Sequence, residues 1–139
     1  MLLSQVMDQL GDAAATIPDL RAHPYYAENV TPPAAIVGWP DEYLFDTGMQ
    51  RGSDRFTIPL IVVVGRADAR SSRDRLAKYA DGSGPESIKQ VLEGWSPTPP
   101  AVKAWDSLRV ESIEFGISTI AGKAYLAATF SIDIEGTGA

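Results

Sequence analysis

The stretch PLIVVVGRADARSSRDRLAKYADGSG, residues Pro59 to Gly84, is an apolar run that passes through one glycine into a basic segment of helical spacing. The unbroken apolar residues Ile61 to Val64 predict a strand buried on both faces, and FTIPLIVVVG is the strongest strand of the chain. From Asp68 the pattern turns helical, with Arg73, Leu76, Ala77 and Ala80 on one side and Asp81-Gly82 as the stop. A strand running through glycine into a helix is the frame of many phosphate-binding turns. Such a turn needs several glycines, so that backbone amides can close on the anion. Gly65-Arg66-Ala67-Asp68 offers one, lacks Gly-Lys-Ser/Thr, and sets an acid at the expected N-cap. Asp68 there would occupy the free amides itself and repel a phosphate. The segment reads as a strand-to-helix unit that holds no nucleotide.

Toward the N-terminus, DTGMQRGSDR (residues 46–55) has the glycines and polar residues of a long hairpin loop between extended segments. Glu42 to Phe45 supplies one of these. Pro59 has no amide to donate, so its end of the strand belongs at a sheet margin or a bulge. Prolines 24, 32 and 33 forbid a helix and leave a short strand near Leu20 to His23, a turn, and a second strand around Ala34 to Gly38. Leu3, Val6, Met7, Leu10 and Ala14 share a helical stripe over about residues 2 to 15, closed by Pro18.

Toward the C-terminus, GPESIKQVLEG predicts a second short helix with Pro85 at its first position, Ile88, Val91 and Leu92 inward, and Gly94 as C-cap. WSPTPPAVKAW is a stiff, polyproline-like connector. The last third reads as two long strands about a turn at Ala121-Gly122. Leu126, Ala128, Phe130, Ile132 and Ile134 alternate cleanly, but in the partner the apolar parity changes from Leu108 and Val110 to Ile113, Phe115 and Ile117. A period of two cannot change parity without an extra residue, which predicts a β-bulge near Glu111-Ser112. The expected fold is a single α+β domain over residues 1–139: a mostly antiparallel twisted sheet of about 4–6 strands, with an N-terminal helix and two central helices packed on it.

Composition narrows the chemistry. The chain has no cysteine and only one histidine, His23, which excludes disulfides, thiolate nucleophiles and His-rich metal cages. MLLSQVMDQLGD lacks a basic leader and is interrupted by Asp8 and Asp12, so it is expected to be neither signal peptide nor membrane span. The sequon-like Asn29-Val30-Thr31 is expected to carry nothing. The net charge of −6 argues against clamping a nucleic-acid backbone, though not against a surface that nucleic acid passes. Asp133, Glu135, Glu111 and Glu114 could pair for acid–base work or a metal, but their alternation fits the wet face of a sheet. No nucleophile–base constellation stands out, so neither an enzyme nor a cofactor is expected.

Charge is distributed unevenly. Residues 1–65 hold eight acids and three bases, whereas residues 66–78 hold five bases and two acids. Arg66, Arg70, Arg73, Arg75 and Lys78 are either a solvated helix face or a contact with acids of another copy. Opposite patches let identical molecules pair head-to-tail, and a rotation that closes gives a ring. Tyr25-Tyr26, Trp39, Tyr43 and Trp95 are either core caps or interface anchors.

VVVGRADARSSRDRLAKYADGSGPESIKQVLE, together with VTPPAAIVGWPDEYLFD and FGISTIAGKAYLAATFSIDIEG, resembles tail terminator proteins of long-tailed bacteriophages that infect actinobacterial hosts. The likeness covers most of the chain and rests on order and spacing rather than on a catalytic motif. It implies a small α/β domain assembling as a homo-oligomeric ring, with six copies expected. The ring would sit on the finished tail tube, end its polymerisation and meet the connector or stopper proteins of the head. Double-stranded DNA would pass through its channel without specific binding. The implied location is the tail–head junction of the virion, after assembly in the host cytoplasm and without a membrane. Chemistry then selects Arg66, Arg70, Arg73, Arg75, Tyr43 and Phe45 as candidate subunit-interface residues. The loop residues Asp46, Met49, Gln50, Arg51, Asp54 and Arg55 are candidates to reach the tube, the connector or the lumen. Rival readings are a stopper or head-completion protein, although two central helices differ from the usual β-rich barrel, a tail-tube subunit, and a small-molecule-binding domain or enzyme.

Overall fold

A computed structural model of the chain describes residues 1–24, 31–46, 52–120 and 122–137. Helix α1 (Leu3–Ala15) leads into β1 (Arg21–His23), β2 (Ala34–Val37), β3 (Tyr43–Leu44) and the long β4 (Ser53–Arg66). Helices α2 (Arg70–Ala80) and α3 (Ile88–Gly94) follow, then β5 (Ser107–Ile120) and β6 (Lys123–Thr137). The six strands form one sheet in the order β1-β2-β4-β6-β5, with β3 also paired to β4. All pairs are antiparallel except β1 with β2. That pair is parallel, which the simple turn expected from the prolines could not give.

One face of the sheet is the core. Phe56, Ile58, Leu60, Val62 and Val64 of β4 join Phe130, Ile132 and Ile134 of β6 in a single cluster with Val6, Leu10 and Ala14 of α1, Leu76 and Tyr79 of α2, and Ile88 and Leu92 of α3. Alternation on β4 and β6 thus sends every second side chain toward the helices, as a sheet covered on one face requires. Of the expected run Ile61 to Val64, burial is continuous at Val62 to Val64, while Ile61 is half-buried. A bulge between Val63 and Gly65, in which Val64 has no partner on β6, accompanies the buried run.

The bulge expected at Glu111-Ser112 is present. Val110 pairs with Ile132 and Ser112 with Ser131, leaving Glu111 as the extra residue. Pro59 departs from expectation, lying within an unbroken ladder to β6 opposite Ser131. The pairing of β2 with β4 stops at Leu60 and that of β3 begins at Phe56, both on the β4 edge away from β6. The Pro59 carbonyl accepts the Gly38 amide at 2.8 Å, so its missing donor falls where β2 leaves the sheet.

Three local expectations are corrected. Asp68 is not the N-cap of α2. It is the third residue of a turn closed by the Ala69 amide on the Arg66 carbonyl (3.1 Å), and Ala69 occupies the cap without a side-chain bond. The buried stripe of α2 is Ser72, Leu76 and Tyr79, while Arg73 and Ala77 are exposed, because the bulky Tyr79 ring turns the helix toward its own side. Pro85 precedes α3, whose N-cap is Ser87, accepting the Gln90 amide at 3.2 Å; Gly94 is its last residue and Trp95 its C-cap. The Ser87-x-x-Gln90 spacing carried that signal. Trp95 and Trp105 then meet at 5.8 Å and anchor the proline-rich connector.

Candidate assembly surfaces

The long strands outrun the helices. At about 3.3 Å per residue, the 14-residue β5 spans roughly 45 Å. At about 1.5 Å per residue, the 13-residue α1 spans roughly 20 Å and the 11-residue α2 roughly 16 Å. The far part of the β5–β6 hairpin is therefore uncovered. Ile113, Phe115 and Ile117 lie opposite Phe130, Ala128 and Leu126 and so point to the core side, yet Phe115 is 62% and Ile117 67% exposed. The change of parity puts these two on the core side. Parity reports which side a residue faces, but not whether a helix lies over it.

The same end of the sheet carries positive charge. Arg66 pairs with Tyr125 beside Ser118, and Lys123 starts β6, while Arg70 opens α2. All three are exposed, and none is in an ion pair among the described residues. The other expected cations differ. Arg73 is bonded to its neighbour Asp74 at 2.8 Å, Lys78 lies 3.7 Å from Glu86, and Arg75 lies against Tyr79.

At the opposite end of β4 sits the aromatic group. Tyr43 stacks on Phe56 with centroids 5.0 Å apart and donates its hydroxyl to Asp54 at 2.9 Å. Burial, aided by the hydrogen bond and charge of Asp54, pushes the Tyr43 hydroxyl up to about 12. Phe45 tilts against Tyr43 at 4.7 Å and remains 72% exposed. The expected interface set is thus divided. The arginines mark one end of β4, and Tyr43 with Phe45 marks the other.

The loop set is corrected in part. Asp54 and Arg55 belong to β4 rather than to a loop. Asp54 is buried and holds Tyr43 and the Asp46 amide, a structural duty. Arg55 grips Asp133 with two 2.8 Å bonds on the sheet face away from the helices, with Glu111 at 3.8 Å. That face carries the acids Asp133 and Glu135 as a wet surface, as their alternation predicts. Asp46 is exposed, with positive φ of 55°. Met49, Gln50, Arg51, the Tyr25-Tyr26 pair, Asn29-Val30 and Ala121 lie outside the described residues. Of the remaining aromatics, Trp95 joins the core while Trp39 stands exposed.

Where β2 and β3 part at Pro59, a groove of about 320 Å³ opens between Asp41, Glu42 and Leu44 on one side and Arg55, Thr57 and Pro59 on the other. Among the described residues no group of three or more His, Asp or Glu side chains is placed to hold a metal. No helix among them is long and apolar enough to cross a membrane. No protein-family model matches the chain, and no curated protein matches it.

Proposed function

We propose that this protein is a tail terminator, a ring of identical copies that caps a phage tail tube and leaves a bore for DNA. The observation that carries the reading is the β5 edge. A long outer strand, with no strand beyond it among the described residues, exposes Phe115 and Ile117. Open edges and exposed apolar rows are avoided in solitary proteins and are normal at contacts between subunits. The net charge of −6 supports the same reading, since an acidic bore repels phosphates and lets a duplex slide. The resemblance of the strand–helix–helix centre and closing hairpin to tail terminators supplies the biological setting.

The test is electron microscopy of the purified chain mixed with tail tubes from the virus that encodes it. A ring at one end of each tube, with loss of further tube growth, is the expected result. Tubes that keep elongating with bare ends overturn the proposal.

A further inference from the structure

Two surfaces at opposite ends of β4 complement one another. One is a projection, the far part of the β5–β6 hairpin, bearing exposed Phe115 and Ile117. Around it Arg66, Arg70 and Lys123 outnumber Asp68 and Glu114, all five exposed. The other is a recess, the Pro59 groove, lined by Leu44, Phe56 and Pro59. Its lining carries Asp41 and Glu42, both exposed and in no ion pair among the described residues. The nearest cation in the groove, Arg55, is already engaged by Asp133. One surface is thus apolar with a basic border, the other apolar with an acidic border.

The geometry points to a head-to-tail contact in which the hairpin end of one copy enters the Pro59 groove of the next. The occupant is a second copy of this chain, because the complementary charges and the apolar centres are both present on one molecule. Like ends brought together would oppose cation to cation or acid to acid, which electrostatic complementarity disfavours. Within one copy the surfaces cannot meet. Leu44 lies beside Arg55 and Ile117 lies in the row of Gly65, about 30 Å along β4 at ~3.3 Å per residue. Contacts of this heterologous kind propagate, closing into rings or running on as filaments according to the rotation per copy. The inference rests on the terminator reading only for ring closure; the pairing of surfaces stands on their chemistry.

The absence of cysteine makes the test clean. Leu44→Cys and Ile117→Cys are prepared separately, each at an exposed position, with thermal melts by circular dichroism to verify the fold. Each is oxidised alone and then as an equimolar mixture, with and without tail tubes. The expected result is a reducible covalent dimer in the mixture and none from either variant alone, because a disulfide needs Cα atoms within about 7 Å. The double variant should give a ladder of multimers. A dimer from Ile117→Cys alone overturns the inference in favour of a symmetric contact. A ring in the microscope without the mixed dimer overturns it and leaves the terminator reading standing. Mixed dimers that grow into open fibres and leave tubes uncapped do the reverse. A chain that stays monomeric with tubes present and gives no mixed dimer overturns both.

Discussion

Gln9 of α1 is bonded to Val102, ninety-three residues away in sequence, by an Nε2–H donated to the Val102 carbonyl at 2.9 Å. Its Oε1 accepts the Ala104 amide, also at 2.9 Å. The buried carboxamide thus acts as a short surrogate strand for a connector whose prolines cannot join a ladder. Gln9→Ala leaves a buried donor and acceptor unpaired and should cost about 1–3 kcal/mol, read as a lower urea midpoint. Gln9→Glu keeps the shape but loses the donor, and should be destabilised as well.

Gly65 lets α2 approach β4 closely. A Cβ there would overlap the Oγ of buried Ser72. Gly65→Ala should cost roughly 1–3 kcal/mol through overpacking. Because the overlap is with the hydroxyl, Gly65→Ala in a Ser72→Ala background should cost less, with a coupling above about 0.5 kcal/mol in a double-mutant cycle. Equal costs in the two backgrounds would refute the contact.

Tyr43 gives the protein an alkaline limit. With the hydroxyl raised from its ordinary 10.0 to about 12 by burial and by Asp54, the neutral phenol is favoured by folding. Its contribution is full below the unfolded value and is lost as pH rises from 10.0 toward about 12. Denaturation curves taken across that window should show a fall in stability that Tyr43→Phe flattens.

Glu93 acts at the other end of the scale. Burial pushes its carboxyl up, but hydrogen bonds from Lys89 at 2.6 Å and from the Val110 amide at 3.0 Å, with the charges of Lys89 and Arg109, outweigh this and hold it below the ordinary value. A depressed folded value contributes stability above the unfolded 4.5, and that contribution is lost as pH falls through the folded value. Glu93→Gln should therefore be less stable than the parent at neutral pH and converge with it in acid.

Phe115→Ser and Ile117→Ser test whether the uncovered row serves association. Both residues are exposed, so folding stability should change by less than about 0.5 kcal/mol. Sedimentation should nonetheless show weaker self-association or weaker tube binding. A large stability loss with unchanged association would mean that the row belongs to the monomer's own packing.

Much of this fold was legible because its signals are periodic. Alternation over Leu126 to Ile134 and the parity change before Ile113 located the hairpin and its bulge, and the 3.6-residue stripe located α1. Signals that depend on what lies opposite were not legible. The turn of α2 toward Tyr79 depends on a ring finding space under the sheet, and the prolines do not set the direction in which β1 pairs with β2. Asp54 read as a loop acid because its hydrogen bond to Tyr43 joins residues on different strands. The candidate surfaces were half visible: the arginine cluster shows in the charge count, but the exposure of Phe115 and Ile117 follows from helix length against strand length.

The extra residue in β5 has an unusual bearing on tolerance to deletion. Removing one residue from a strand ordinarily turns every later side chain over, ruining whichever side was dry. Here the excision of Glu111 would instead bring Ser112 directly after Val110, opposite the same Ser131 it already faces. Every side chain would keep its orientation, and what is lost is the bend and the exposed contacts of Glu111 with Arg55 and Arg109. Glu111 is thus dispensable for folding but not for aim: shortening the strand by that one residue should straighten the hairpin and swing its tip to a new bearing.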